Sequence, residues 1–407
     1  MQYDIIVVGA GIAGLRVGIE VLRKGCSCIL LERNQYVGGR IYTFHDTVPG
    51  VGRVQWEAGA GRIATSHKKV LRLLARYGLT TGPISDQVAY QGAPNRFTEL
   101  LSVYLEPLRA LPPSLLRSTT LGALCETVLG SERATAFLSH FPYDSEIHTL
   151  RADRALVSFD YELGSESGFV YCKEGLDRLM QGMQKEFVER GGILQLGCSV
   201  TRVSSVPNGV VVRTSEGSMR ARGCVLAITA NAMRDIRGFS LPVLDALAMR
   251  PLFRMYAVFP VSKGKSWFSD VPKVVTRDHL RYFIPIDASR GICMISYTDG
   301  QDAEYWMRQT GRPRKVMKHI RGLFPEKDIP EPLFFKEHLW KEGCTYWLPG
   351  DYDVAEESRT VMNPAKGIFV CGESFAEVQC WMECAVEHAD AMMALPAFQQ
   401  VTSNHRV

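Results

Sequence analysis

The sequence predicts an α/β chain, with one domain built on a mainly parallel sheet and a second, mixed α+β domain interleaved with it. Three observations carry this. The chain opens on a β-branched run that enters a glycine turn and an amphipathic stretch. A second apolar run follows and ends on an acid. Strand-into-glycine patterns then return at 54–62 and 367–373, separated by long stretches of different texture.

Residues 5–8 (Ile-Ile-Val-Val) are continuously apolar, as expected of a parallel strand covered on both faces. Gly9 permits a tight turn, Gly11 lets backbone approach a phosphate, and Gly14 lets the next helix sit close to the strand. That helix is expected over 11–24, with its N-terminal amides and dipole facing the phosphates and Gly25 at its C-cap. Residues 28–31 read as the second strand. Glu32, eighteen positions beyond Gly14, is placed to accept from both hydroxyls of an adenosine ribose and would repel a 2′-phosphate. Together these describe a site for an adenine dinucleotide. Gly38-Gly39-Arg40 narrows it to FAD, because two glycines bring backbone close and a guanidinium fork suits a pyrophosphate.

Downstream, residues 54–62 read as a strand entering a glycine turn. A helix is expected over 67–77, with Val70, Leu71 and Leu74 on one face and Gly78 at its end. From 80 to about 165, prolines at 83, 94, 107, 112, 113 and 142 punctuate helical pieces such as 121–129. A helix from 175 to 190 leads into strands at 194–196, 210–214 and 224–229, with residues 197–203 between the first two. Strand-like runs at 255–261 and 292–297 lie in a further mixed block. Residues 367–372 are a buried strand entering a glycine turn, and a helix is expected over 374–395. The expected division is a nucleotide domain of 1–79, 166–237 and 350–395, and a second domain of 80–165 and 238–349.

Composition excludes several classes. The chain has 407 residues, 46% of them apolar and 22% charged, with 47 basic against 43 acidic side chains. Such a balance points to no nucleic-acid partner. The basic stretch 308–319 reads as a solvated face. Eleven cysteines in a long chain suggest reduced thiols. No apolar run approaches the ~18–20 residues of a membrane span, and the first strand leaves no room ahead of it for a leader. A cytoplasmic protein is expected. No Cys/His spacing suggests a metal, the i, i+4 pair Cys380/Cys384 included.

Taken together, Gly9-Ala-Gly11-Ile12-Ala13-Gly14, Glu32, Gly38-Gly39-Arg40-Ile-Tyr-Thr, residues 57–62, Gly175-Leu-Asp-Arg-Leu, Val200, residues 225–229, and Gly372-Glu373 followed by Trp381-Met382-Glu383 resemble the flavin-containing amine oxidoreductases. These include monoamine, polyamine and L-amino-acid oxidases. The resemblance implies an FAD-binding, Rossmann-like domain of the glutathione-reductase/p-hydroxybenzoate-hydroxylase type, with a substrate domain facing the flavin. It assigns cofactor contacts to Gly9, Gly11, Ile12, Ala13, Gly14, Glu32, Arg33, Gly38, Gly39, Arg40, Gly59, Gly61, Arg62, Val200, Cys344, Gly372, Glu373, Trp381 and Met382. Val200 reads equally as an ordinary strand valine.

The implied chemistry is oxidation of a C–N bond. Hydride passes to flavin N5, the imine hydrolyses, and dioxygen reoxidises the flavin to give hydrogen peroxide. Trp381 matches one wall of an aromatic slot before the flavin, and Tyr346 is the expected opposite wall. Arg62 matches the arginine that clamps a substrate carboxylate in amino-acid oxidases, which makes an amino acid the alternative substrate; it could equally pair with an internal acid. Arg254 stands where most relatives have a lysine that holds a water near N5, so another electron acceptor is the alternative to dioxygen. Cys380 and Cys384 replace the usual glycines, and Asn34 stands where an arginine is frequent. These departures keep a catalytically impaired FAD-binding protein as a third alternative. Cys344 resembles the cysteine that attaches flavin covalently in monoamine oxidases, and reads otherwise as a small buried residue.

Overall fold

The computed structural model describes residues 2–92, 97–163 and 168–403. Pro94 and the expected boundary at 165/166 lie outside them. Strand β1 (Gln2–Val8) pairs in parallel with β2 (Cys28–Leu31) on one side and with the strand Gly217–Leu226 on the other. Alternate side chains enter opposite cores: Ile6, Val8, Ile29 and Leu31 one, Ile5, Val7, Cys28 and Leu30 the other. Burial on both faces is why these runs read as unbroken apolar sequence.

Helix α1 (Ile12–Arg23) connects the two strands. Gly9 takes φ +100, and a Cβ on Gly14 would lie 1.9 Å from the Gly9 carbonyl oxygen. Only glycine at 14 allows the helix to sit this close. An added Cβ at Gly11 would meet nothing within 4 Å.

The seven-stranded sheet runs Val200–Val206, Gly209–Thr214, Gly217–Leu226, β1, β2, Ile193–Gln195, with Ile368–Val370 also paired to Gly217–Leu226. The expected strand at 224–229 is the end of this longer one. Its first half pairs antiparallel with Gly209–Thr214, and its second half is parallel to Ile368–Val370. Exposed Ser218 and Arg220 in the first half hid its start. Residues 200–206, expected as a connection, form an edge strand.

A second sheet of six strands runs Phe334–Trp347, Leu247–Val258, Ile292–Asp299, Tyr282–Asp287, Lys273–Val275, Val88–Tyr90. Trp306, Val316 and Ile320, from helices Gly300–Arg308 and Arg312–Leu323, pack with its Phe253, Met255 and Ile295. The basic stretch lies mostly on the second helix, where Arg312 pairs with Glu337 and His319 with Asp278. Helices from Phe97–Arg109 to Ala152–Leu163 fill the 97–163 block. None of the described helices is long and apolar enough to cross a membrane.

The helix expected over 374–395 starts later. Glu373–Phe375 is a single 3-10 turn, and the α-helix is Met382–Ala394. Cys380 takes φ +71, and a left-handed residue cannot continue a right-handed helix.

A hairpin of β3 (Thr43–Val48) and β4 (Gly52–Glu57) delivers the 57–62 turn. The Glu57 carboxylate accepts from Thr43 Oγ1 at 2.9 Å and from the Leu176 N–H at 2.8 Å. Burial outweighs these bonds and pushes its carboxyl up to about 7.

Two stability outcomes follow from this packing. Gly14→Ala is expected to cost ~2–3 kcal/mol in denaturant unfolding, and Gly11→Ala to stay within ~0.5 kcal/mol of the parent; equal losses would contradict the packing role of Gly14. Glu57 binds its proton more tightly folded than unfolded, so its contribution is full below its ordinary pKa and is lost as pH rises through about 7. The stability advantage of the parent over Glu57→Gln should therefore shrink between pH 4.5 and 7.5, and a constant difference would reject the shifted carboxyl.

Candidate active site

A cleft of about 760 Å³ is walled by the glycine loop after β1, the end of β2, the 38–41 turn, the Met382–Ala394 helix start and three strands of the six-stranded sheet. Gly9, Gly11, Ile12 and Ala13 form one wall. Gly14 lies behind it, where its role is the close packing already described.

Glu32 is buried at the end of β2. Its Oε2 accepts from the Ala10 N–H and its Oε1 from both the backbone and the side-chain amide of Asn34, all at 2.8 Å. The carboxylate thus fixes the glycine turn while lining the cleft, and Oε2 retains a further lone pair for a ribose hydroxyl. Asn34, where an arginine was the family expectation, serves Glu32. Arg33 and Val200 also line the cleft.

The Arg40 fork has protein partners. Nη2 meets Glu373 Oε2 at 2.5 Å and Nη1 donates to the Gly343 carbonyl at 3.0 Å. Burial opposes the guanidinium charge, but the Glu373 carboxylate prevails and holds it protonated. Glu373 also accepts from the Cys380 N–H at 2.8 Å and from Thr345 N–H and Oγ1 at 3.4 Å. Gly372, at φ +127, faces open space in the same wall.

Trp381 caps the Met382–Ala394 helix and lines the cleft together with Met382. Its ring stacks on Phe169 (6.0 Å between centroids, 9°) and meets the edge of His67 at 5.0 Å. Arg62 lies behind this wall rather than in it. Its guanidinium carbon is 5.1 Å from the Trp381 ring, 4.5 Å from Phe169 and 5.8 Å from Tyr143. Burial and the Arg62 charge push His67 down to about 4, so the imidazole beside Trp381 is neutral at pH 7. Gly61 also sits off the wall, with Gly59 and Ala60 lining it.

Arg254 is in the wall. Its Nη1 donates to the carbonyls of Glu57 (3.1 Å) and Gly59, and its guanidinium carbon stands 4.6 Å from the ring of Tyr297, its partner on the next strand. It therefore holds the 57–59 turn.

Tyr346 is a correction: it does not line this cleft. Strand alternation puts it on the Cys344 face, but one pleat (~7 Å) further along. There, residues 377–380 cover it over a small separate cavity. The additional aromatic of the wall is Tyr297, near Tyr143 (6.1 Å), with Trp340 anchored to the Ala58 carbonyl at 2.7 Å. Sequence reading passed over both. Only the pairing of 254 with 297 across two strands would have revealed Tyr297.

The donor set suits an adenine dinucleotide. Bare backbone faces open space at Gly11 and Gly372, and the buried Arg254 Nε has no partner among the described residues. Comparison with known proteins agrees. The model of the flavin containing amine oxidoreductase family matches residues 12–391. The flavin-dependent L-tryptophan oxidase RebO of Lentzea aerocolonigenes is 23% identical, over 95% of this chain and 96% of its own. Flavin-containing amine oxidase A of Sus scrofa is 22% identical, over 94% and 83%. Among solved structures, cyclohexylamine oxidase from Brevibacterium oxydans IH-35A superposes with a TM-score of 0.76 at 17% identity, covering 99% of each chain. A putrescine oxidase double mutant gives 0.75 at 16%, covering 98% of each. The chain therefore belongs to the flavin-containing amine oxidoreductases, enzymes that act on C–N bonds with FAD as cofactor.

Proposed function

We propose that this enzyme oxidises the C–N bond of a small amine, with the imine product hydrolysed in solution and dioxygen as the final acceptor, giving hydrogen peroxide. The observation that carries this reading is Trp381 at the helix start, in one cleft with the glycine loop and Arg40. FAD, when bound, supplies the hydride acceptor. Glu32 and the Gly9–Gly11 backbone would hold its adenosine end, and the N-terminus of α1 its phosphates. Arg40, held against Glu373, would complete the phosphate contacts.

On the substrate side the residues position and desolvate. Trp381, backed by Phe169 and neutral His67, offers a rigid face that orients an amine and excludes water. No side-chain base is required, because the neutral amine loses hydride rather than a proton. Arg254 fixes the turn through Glu57 and Gly59, which keeps that backbone against the cofactor wall.

A second reading, oxidation of an amino acid, has its own support in Arg62, whose charge lies 5.1 Å from the Trp381 ring. From behind the wall its charge would favour, through space, a substrate that brings a carboxylate over one that brings only a cation. Arg62→Ala separates the two readings. If the substrate is an amino acid, kcat/KM for it should fall ~100-fold (~3 kcal/mol) while simple amines are spared; equal effects on both would remove the clamp. Trp381→Ala, assayed as FAD-loaded protein, should lower kcat/KM at least ~10-fold for every substrate. Peroxide release on a panel of amines and amino acids tests the main reaction. FAD-loaded protein that neither releases peroxide nor bleaches anaerobically with any of them would refute it.

A further inference from the structure

Nine of the eleven cysteines are buried, and the other two, Cys344 and Cys380, are half-buried and both line the cleft. They come from different parts of the fold, one from the strand Phe334–Trp347 and the other from the segment before the Met382–Ala394 helix. A single carboxylate oxygen holds the two segments together: Glu373 Oε1 accepts from the Cys380 N–H at 2.8 Å and from the N–H of Thr345, next to Cys344, at 3.4 Å. The Cys380 sulfur itself reaches back to the Thr345 carbonyl oxygen at 3.6 Å. Cys380 holds φ +71, a conformation that costs a non-glycine residue about 1 kcal/mol or more and persists only where surrounding contacts enforce it.

We propose that Cys344 and Cys380 form a redox-active thiol pair in the cleft wall, closing to a disulfide when a hydroperoxide enters. The sulfur of one attacks the peroxide, breaking the O–O bond, releasing one water and leaving a sulfenic acid. The second sulfur displaces the sulfenic oxygen as another water, and the S–S bond forms. Overall, two thiols and one hydrogen peroxide give one disulfide and two waters; sulfur is oxidised and peroxide oxygen reduced. The thiols already influence one another: a hydrogen bond that the Cys380 S–H donates to Cys344, then burial, keep Cys380 in its protonated form well past the ordinary thiol range. Neither step depends on which amine the enzyme oxidises.

The test is peptide mapping of the FAD-loaded protein under non-reducing conditions, before and after added hydrogen peroxide. Expected are loss of two titratable thiols per chain, a peptide pair joined through 344 and 380, and full reversal by dithiothreitol. Cys344→Ser and Cys380→Ser should each abolish the joined peptide, whereas Cys384→Ser should keep it. Separate sulfinic acids with no joined peptide would overturn the proposal. So would flavin fixed to Cys344, seen as a yellow acid-precipitated pellet whose Cys344 peptide carries the added mass.

Discussion

The ion pair between Arg40 and Glu373 is the constraint on which the site depends. Arg40 follows the second strand of the parallel sheet, and Glu373 follows the strand Ile368–Val370. Through Gly343 and Thr345 the same pair grips the edge strand of the other sheet, and through the Cys380 N–H it grips the segment leading to Trp381. Three stretches of chain, around 40, around 345 and 373–380, thus meet at one buried carboxylate. Such a pair is a weak source of net stability, because desolvating both charges offsets much of their attraction. Its value here is positional: removing one partner would strand the other charge at ~3–5 kcal/mol, so the convergence is all or none.

Around that clamp the chemistry is divided by wall. The parallel-sheet side offers backbone amides, one carboxylate and a helix N-terminus, all matched to phosphate and ribose. The opposite side offers Trp381, Tyr297 and two permanent cations, Arg254 in the wall and Arg62 behind it. Under the proposed function, permanent positive charge on this side would favour the neutral form of an amine, the form able to give up hydride. The Arg62 guanidinium lies against the stacked rings of Phe169 and Trp381, 4.5 Å and 5.1 Å from their centroids.

What could be read from sequence follows from how tightly backbone geometry restricts residue type. Gly14 admits no side chain, since a Cβ would lie 1.9 Å from the Gly9 carbonyl oxygen; the glycine turn, its helix and Glu32 were therefore legible. The two-faced strands were legible because burial on both sides leaves no polar position. What escaped depends on pairing between distant segments. Tyr297 reaches the cleft only because its strand lies beside Arg254, and nothing local marks it. Tyr346 was misplaced because strand alternation gives the face but not how far along it the 377–380 segment closes over. The helix start was misjudged because Cys380 adopts a left-handed conformation that its residue type does not advertise.

The most direct measurement is the FAD affinity of Glu373→Gln against the parent, by flavin fluorescence on apoprotein with far-UV circular dichroism as the check on folding. A weakening of ~10-fold or more with secondary structure retained is the predicted result, since Arg40 would lose its charged anchor and the cleft wall its alignment. Unchanged affinity in a folded variant would show that the clamp does not organise the cofactor site.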